Sequence, residues 1–215
     1  MPVQQTRARN RQRKILNAAA TVFATRGFRE SGMDEIARAS GTSKGGLYFH
    51  FPGKDAVLLA VLDQTAVLLR SKVERAIAAE TEPVAAAEAA LGVLLRTLIK
   101  HRALARVFAV EAMGAGSGFN TRALEIQDEF AEMIRLQLDA AIAQGVIEPI
   151  DTTIAAQAWI GVLHGVITRW VTTSSRERRP IDESYETIRI MLLRSVGAAP
   201  HAAIEARSHR GSGNG

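Results

Sequence analysis

The sequence of 215 residues contains no cysteine. That excludes disulfides and thiolate metal sites, and it fits a reducing compartment. Aromatic residues make up only 5% of the chain. No apolar run approaches the roughly 18 residues that a membrane-spanning helix needs. The basic start MPVQQTRARNRQRK has no apolar stretch behind it of the kind a signal peptide carries. The expected location is therefore cytoplasmic, with no membrane partner. The five histidines, His50, His101, His164, His201 and His209, include no pair four residues apart. A metal site built on them would need carboxylate partners that no motif supplies. Gly-x-Ser-x-Gly, paired-carboxylate and Cys–His arrangements are also missing, so neither an enzyme nor a cofactor or metal is expected.

What is present is apolar and basic. Apolar residues make up 47% of the sequence, enough for a substantial core, and the net charge is +5. That charge is unevenly placed. The first 60 residues hold ten Lys or Arg against four Asp or Glu, and the rest hold 17 against 18. A basic N-terminal quarter is the footprint of a domain that faces an anionic polymer. Anionic membrane is the rival partner, but no basic amphipathic helix with an aromatic-rich apolar face is evident.

The most informative stretch is MDEIARASGTSKGGLYFHFPGK, Met33 to Lys54. Met33, Ile36 and Ala37 recur at helical spacing. Ser40-Gly41 stops that helix, because Gly tolerates the left-handed conformation of a helix C-terminus. Ser43 can cap a second helix, whose buried side is Leu47 and Phe51. A small residue at Ala37, a turn former at Gly41 and an anchor at Leu47 are what a helix-turn-helix requires, with its second helix in the DNA major groove. Gly41–Gly46 also looks like a phosphate-cradling loop, but a P-loop needs Gly-Lys-Ser/Thr opening a helix after a strand, and neither is here. An ordinary helical hairpin is the plainer alternative. Against it, Lys44, Tyr48, His50 and Lys54 are polar-tipped and lie on or just after the second helix.

Residues 10–60 resemble the DNA-binding head of the TetR family of bacterial transcription regulators. The resemblance rests on Ile15-Leu16-Ala18-Ala19, Phe23, Arg26-Gly27-Phe28, Met33-Asp34-Glu35-Ile36-Ala37, Gly41-Thr42-Ser43-Lys44-Gly45, Leu47-Tyr48-Phe49-His50-Phe51 and Lys54. For the chain beyond about residue 65 it implies only an all-helical ligand-binding and dimerisation domain. Three positions depart from the family pattern. Gly32 stands where Thr or Ser usually caps the helix and touches phosphate. Gly46 stands where Thr, Ser or Ala is common, and Thr42 replaces a frequent apolar residue.

The rest of the chain reads as helices separated by short breaks, giving an all-α fold of about nine helices. Residues 1–9 are expected to be a mobile arm, with helix 1 from about Asn10 to Arg26. Helix 4 runs from about Lys54 to Ala79, long enough to link the head to the rest of the chain. Pro83 opens helix 5, and helix 6 covers about Ala103 to Met113. Gly114–Gly118 is read as a flexible linker. Its alternating glycines are a weak look-alike of a dinucleotide loop, but no strand precedes it. Helix 7 covers about Asn120 to Gln144. Helix 8, capped by Asp151, runs to about Thr173 and is apolar nearly all round, so burial on more than one side is expected. Pro180 and Asp182 open helix 9. The expected domains are 1–53, the helix-turn-helix head with its basic arm, and 54–199, the ligand-binding and dimerisation domain. Residues 200–215 are expected to be a disordered tail.

These readings assign the sites. Ser43, Lys44, Gly45, Gly46, Tyr48, Phe49, His50 and Lys54 are the DNA-binding candidates. Lys44 can reach a guanine edge or a phosphate, and the two glycines allow close approach. Tyr48 and His50 can bond phosphate or pack on thymine methyl groups, although Tyr48 could instead anchor helix 3 on helix 4. Ser43 and Lys54 are read as phosphate contacts. Phe49 could meet a sugar or a base, or belong to the core. The polar residues set in apolar helices are Arg96, Arg106, Glu111, Gln127, Gln137, Gln157, His164 and Thr168. Arg96, Arg106, Phe130 and His164 are taken as ligand-binding candidates. Trp159, Gly161, Val162, Gly165, Ile188, Met191 and Leu192 are taken as a dimer seam. The expected function is a dimeric transcription regulator, a repressor released from a palindromic double-stranded DNA operator by a small, largely apolar effector. The alternative is a helical adaptor or structural bundle with no DNA role.

Overall fold

The computed structural model describes the backbone of residues 2–174 and 181–198, and side chains within 9–174 and 185–198. Among these residues the fold is all-α. Helices α1 (Pro2–Arg26), α2 (Met33–Ser40), α3 (Lys44–His50), α4 (Lys54–Ala78) and α5 (Pro83–Lys100) come first. Helix α6 is composite: Arg102–Arg106, a π-helical turn at Val107–Glu111, and Ala112–Ala115. Then come α7 (Ser117–Ala143), α8 (Thr152–Thr172) and α9 (Ile181–Ser195). No helix among the described residues is long and apolar enough to cross a membrane.

The described residues form two compact units, one of those up to Leu68 with Leu98–Ile126, the other of Leu69–Thr97 with those from Gln127 onward. In the first, α1 packs on α2 and on α6 with its π-turn, and α2 packs on α3. The stripe Ile15, Ala19 and Phe23 is fully buried with Ile36, Leu47, Leu58 and Leu62. Each large aliphatic or aromatic side chain so buried contributes roughly 1.5–3 kcal/mol. Phe28 folds back as a hydrophobic cap. Its ring lies edge-on to Phe23 at 5.4 Å and 5.5 Å from Phe119.

In the second unit Leu91, Leu95, Ile134, Leu138, Trp159, Leu163 and Leu192 build the core. The Trp159 indole N–H donates to Ser195 Oγ at 3.1 Å, and the Asp151 carboxylate caps α8 by accepting from the Ile154 N–H at 3.0 Å. Arg189 pairs with Glu88 at 2.7 Å. A Cβ at Gly92 would lie 2.6 Å from the Tyr185 hydroxyl, the far end of a side chain that would have to swing aside.

Several expectations need correction. Helix α1 begins at Pro2, so residues before Asn10 continue the helix instead of forming an arm. The expected linker at 114–118 shrinks to one residue. Gly114 and Ala115 finish α6, Ser117 starts α7, and only Gly116 breaks the helix, at φ 140°. Helix α8 buries one side only within the chain: Ile154, Ala158, Gly161 and Gly165 are exposed along the other. Trp159, Ile188 and Leu192, assigned to the dimer seam, are core residues at 1%, 8% and 3% exposure. They have no surface left for a second copy. The expected tail at 200–215 lies outside the described residues.

Because Trp159 is core, Trp159→Ala should lower unfolding stability by about 3–5 kcal/mol, the range for removing a buried aromatic. Urea denaturation of the variant measures it; a loss under about 1 kcal/mol would return Trp159 to the surface.

Candidate nucleic-acid interface

Helix α3 is only seven residues long, too short to hold itself, and both its ends are fixed by sequence-local devices. Gly41 adopts the left-handed conformation, φ 64°, and ends α2. Ser43 caps α3: its Oγ accepts from the Gly46 N–H at 3.1 Å, which leaves the hydroxyl proton to donate elsewhere. At the far end the Phe51 N–H closes on the Leu47 carbonyl at 2.9 Å. Leu47 and Phe51 are buried beneath the helix. Lys44, Gly45, Tyr48 and Phe49 are left on the exposed side. Gly32, without a hydroxyl, is the N-cap of α2, and the Glu35 carboxylate accepts from its N–H at 3.2 Å.

Phe49 is 86% exposed, which settles its sequence ambiguity against the core, and Tyr48 is 45% exposed. His50 is half-buried and stands edge-on to the Phe49 ring at 5.4 Å. The Lys44 ammonium pairs with Asp34 at 3.0 Å, and that hydrogen bond raises its pKa, so it carries full charge. Both partners are mostly exposed, so the pair yields readily to a phosphate or base.

The two glycines of α3 differ. A Cβ on Gly46 would sit 3.0 Å from Thr42 Cγ2 and 3.1 Å from the capping Ser43 Oγ, so the cap itself crowds that position. A Cβ on Gly45 would meet nothing. Nothing inside the chain requires glycine at 45.

Lys54 has a different task from the expected phosphate clamp. Its ammonium donates to the carbonyls of Phe28, Arg29 and Ser31 at 3.1, 2.8 and 3.3 Å, and lies 4.9 Å over the Phe28 ring. An ammonium has three donors, and all are engaged here. On the other side of that loop, the Phe28 N–H donates to Glu111 Oε2 at 2.9 Å, while Arg106 Nε stands 3.5 Å from Glu111 Oε1. Arg29 reaches the Gly114 carbonyl at 3.2 Å. The loop between α1 and α2 is therefore tied to α4 and to the π-turn of α6. In the sequence, Glu111 stands out only as a polar residue in an apolar helix. Its partner is a backbone amide 83 residues away, which no spacing signals.

The four ligand-binding candidates have different surroundings. Phe130 is buried at 4% exposure. The Arg96 guanidinium lies 5.8 Å over the Tyr185 ring, and Arg106 faces Glu111. His164 is half-buried, and burial pushes its pKa below the usual range, which keeps the ring neutral near pH 7. A groove of about 900 Å³ in the first unit is lined by none of the four.

Two outcomes test this geometry. Lys54→Met should destabilise the fold by about 1–3 kcal/mol, because three carbonyls lose their donor; a denaturation midpoint unchanged from wild type would restore Lys54 to a purely external role. Gly45→Ala should stabilise by about 0.5–1 kcal/mol, the usual helix-interior gain. Gly46→Ala should gain less or nothing, since its methyl pushes on the cap. Equal gains in thermal melts of the two variants would contradict the crowding.

Comparison with known proteins agrees with this arrangement. Residues 15–61 match the family model described as bacterial regulatory proteins, tetR family. The HTH-type transcriptional regulator SrpR of Pseudomonas putida is 27% identical over 185 residues, covering 86% of this chain and 83% of SrpR. The fold is that of FadR from Bacillus subtilis, solved in complex with stearoyl-CoA (TM-score 0.76, 20% identity, 87% of this chain and 98% of that one). It is also that of AibR, solved with isovaleryl coenzyme A and operator DNA (TM-score 0.68, 22% identity, 84% and 97%). These proteins are regulators and not enzymes. A buried three-helix head presenting α3, the family match over that head and a regulator relative along most of the chain lead to one conclusion: residues 15–61 are a DNA-binding head of the TetR type, carried on a chain that resembles TetR-family transcription regulators along most of its length.

Proposed function

We propose that the protein is a cytoplasmic, homodimeric repressor that leaves a palindromic operator when a small effector binds. Residues 1–53 serve as the DNA-binding domain and 54–199 as the effector and dimerisation domain. The observation that carries the reading is the exposed side of α3, where Lys44, Gly45, Tyr48 and Phe49 stand over buried Leu47. Lys44 supplies the charge for a guanine edge or phosphate. Phe49 offers an apolar face to a thymine methyl or a sugar. Ser43 and His50 bond phosphate oxygens, and bare backbone at Gly45 lets the helix lie close to the groove floor. Lys54 acts one step back, by holding the head together.

The dimer reading rests on α8 and α9. A Cβ at Gly161 or Gly165 would meet nothing within the chain, so small residues there are accounted for by close approach of another helix. Exposed Ile154 and Met191, at 61% and 48%, extend the same apolar surface, with Val162 half-buried beside it. A two-fold axis on this surface sets two recognition helices about 34–36 Å apart, one DNA turn.

For the effector, we propose a largely apolar molecule with an anionic head. An acyl-CoA is the favoured class, because such molecules accompany FadR and AibR, which share this fold. It must bind the DNA-incompetent state better in order to act.

Selection of bound fragments from the host genome supplies the operator for a shift assay. Lys44→Ala and Phe49→Ala should each weaken binding by about 1–3 kcal/mol if they read bases, and by less at a phosphate. Full affinity in both variants would contradict the reading, and a failure to recover any preferred fragment would favour a helical adaptor without a DNA role. Gly165→Leu should leave each chain folded but convert the dimer to monomer by light scattering. An intact dimer in that variant would place the seam elsewhere.

A further inference from the structure

The groove of about 900 Å³ lies in the first unit, walled by α1, by α4 near residues 60–68 and by the turn between α5 and α6. Its size is within the roughly 300–1,000 Å³ of small-molecule sites. The floor is apolar. Leu16, Ala20 and Leu104 are buried at its base, and Val67, 63% exposed, lines its wall. The rim is cationic: Arg9 and Arg13 come from α1, Lys100 and Arg102 from the α5–α6 turn. One acid, Asp63, lines the groove, and its carboxylate already accepts from Arg122 at 2.8 Å. Among the described residues no acidic side chain pairs with Arg9, Arg13 or Lys100.

Each half of this arrangement asks for a different part of one ligand. A free phosphate would gain from the rim but nothing from Leu16 or Val67. A neutral hydrocarbon would gain from the floor but would leave Arg9, Arg13 and Lys100 facing no charge. Arginine forks favour phosphate over a point anion because they bind its oxygens bidentately. We infer that the groove binds an amphipathic phosphate ester, an alkyl or acyl chain joined to a phosphate-bearing head. The chain lies along the floor, and the phosphate bridges α1 to the α5–α6 turn. The inference deepens the effector reading above and rests on it only for the biological source of such a ligand. The source is either a soluble acyl-CoA or a lysophospholipid.

The absence of cysteine makes the groove directly readable. Thr21 is exposed and lines it, so Thr21→Cys carries a single polarity-sensitive fluorophore. Titration with dodecyl phosphate, below its micelle concentration, should give a saturable blue shift. Adding Arg13→Glu and Lys100→Glu, both surface changes that leave the core intact, should weaken that binding at least about tenfold. Dodecanol and inorganic phosphate should bind at least about tenfold more weakly than the joined molecule. Lauroyl-CoA and lauroyl lysophosphatidic acid then compete for the site, and displacement by either supports the inference and names the source. No saturable response, an equal response to dodecanol, affinity unchanged by charge reversal, or no displacement by either competitor overturns it. The readout is occupancy of the groove and not release of DNA, so this site and the effector reading can fail separately.

Discussion

The first unit depends on how the short loop between α1 and α2 is gripped. Its carbonyls at Phe28, Arg29 and Ser31 face the Lys54 ammonium, and its Phe28 amide faces the Glu111 carboxylate. Opposite charges thus hold opposite ends of the loop's peptide dipoles. The Phe28 ring completes the grip, under Lys54 and against Phe23 and Phe119. Charge-assisted hydrogen bonds of this kind are about twice as strong as neutral ones, and leaving one partner buried alone is costly. The loop fixes where α2 starts, α2 fixes α3, and α3 is the helix proposed to face DNA. A seven-residue helix with two consecutive glycines can therefore be well placed without being intrinsically stable.

The same grip gives α6 a route to the head. Glu111 closes a π-turn, an irregular piece of helix that often marks a functional position. Its carboxylate faces Arg106 and the head at once. A change in the winding of α6 moves the group that holds the Phe28 amide. This is a two-partner contact within one compact unit, so it supplies a physical element for an effector to bias, as any allosteric account requires.

Much of the helical framework was legible in the sequence because its signals are local. The apolar stripe of α1, the left-handed Gly41, the Ser43 cap and the Asp151 cap each involve residues within a few turns of one another. What was not legible depends on residues far apart in sequence. Lys54 reads as a surface cation until the three carbonyls it meets are in place. The glycine-alternating stretch 114–118 reads as a linker, but all of it except Gly116 is helical. Periodicity also cannot separate a core from an interface. Helix α8 is apolar nearly all round, and only the structure assigns Trp159 to the inside and Gly161 and Gly165 to the outside. The groove was invisible for the same reason, since Arg13 and Lys100 are brought to one rim only by the fold.

DNA is proposed to lie on the exposed side of α3, with the α1–α2 loop as its support. Amide hydrogen exchange on the intact protein, with and without its recovered operator duplex, tests this residue by residue. The predicted result is slowed exchange centred on residues 43–51, with α2 and the 27–32 loop slowed to a lesser degree. Unchanged exchange across 43–51 while the duplex is demonstrably bound would contradict it.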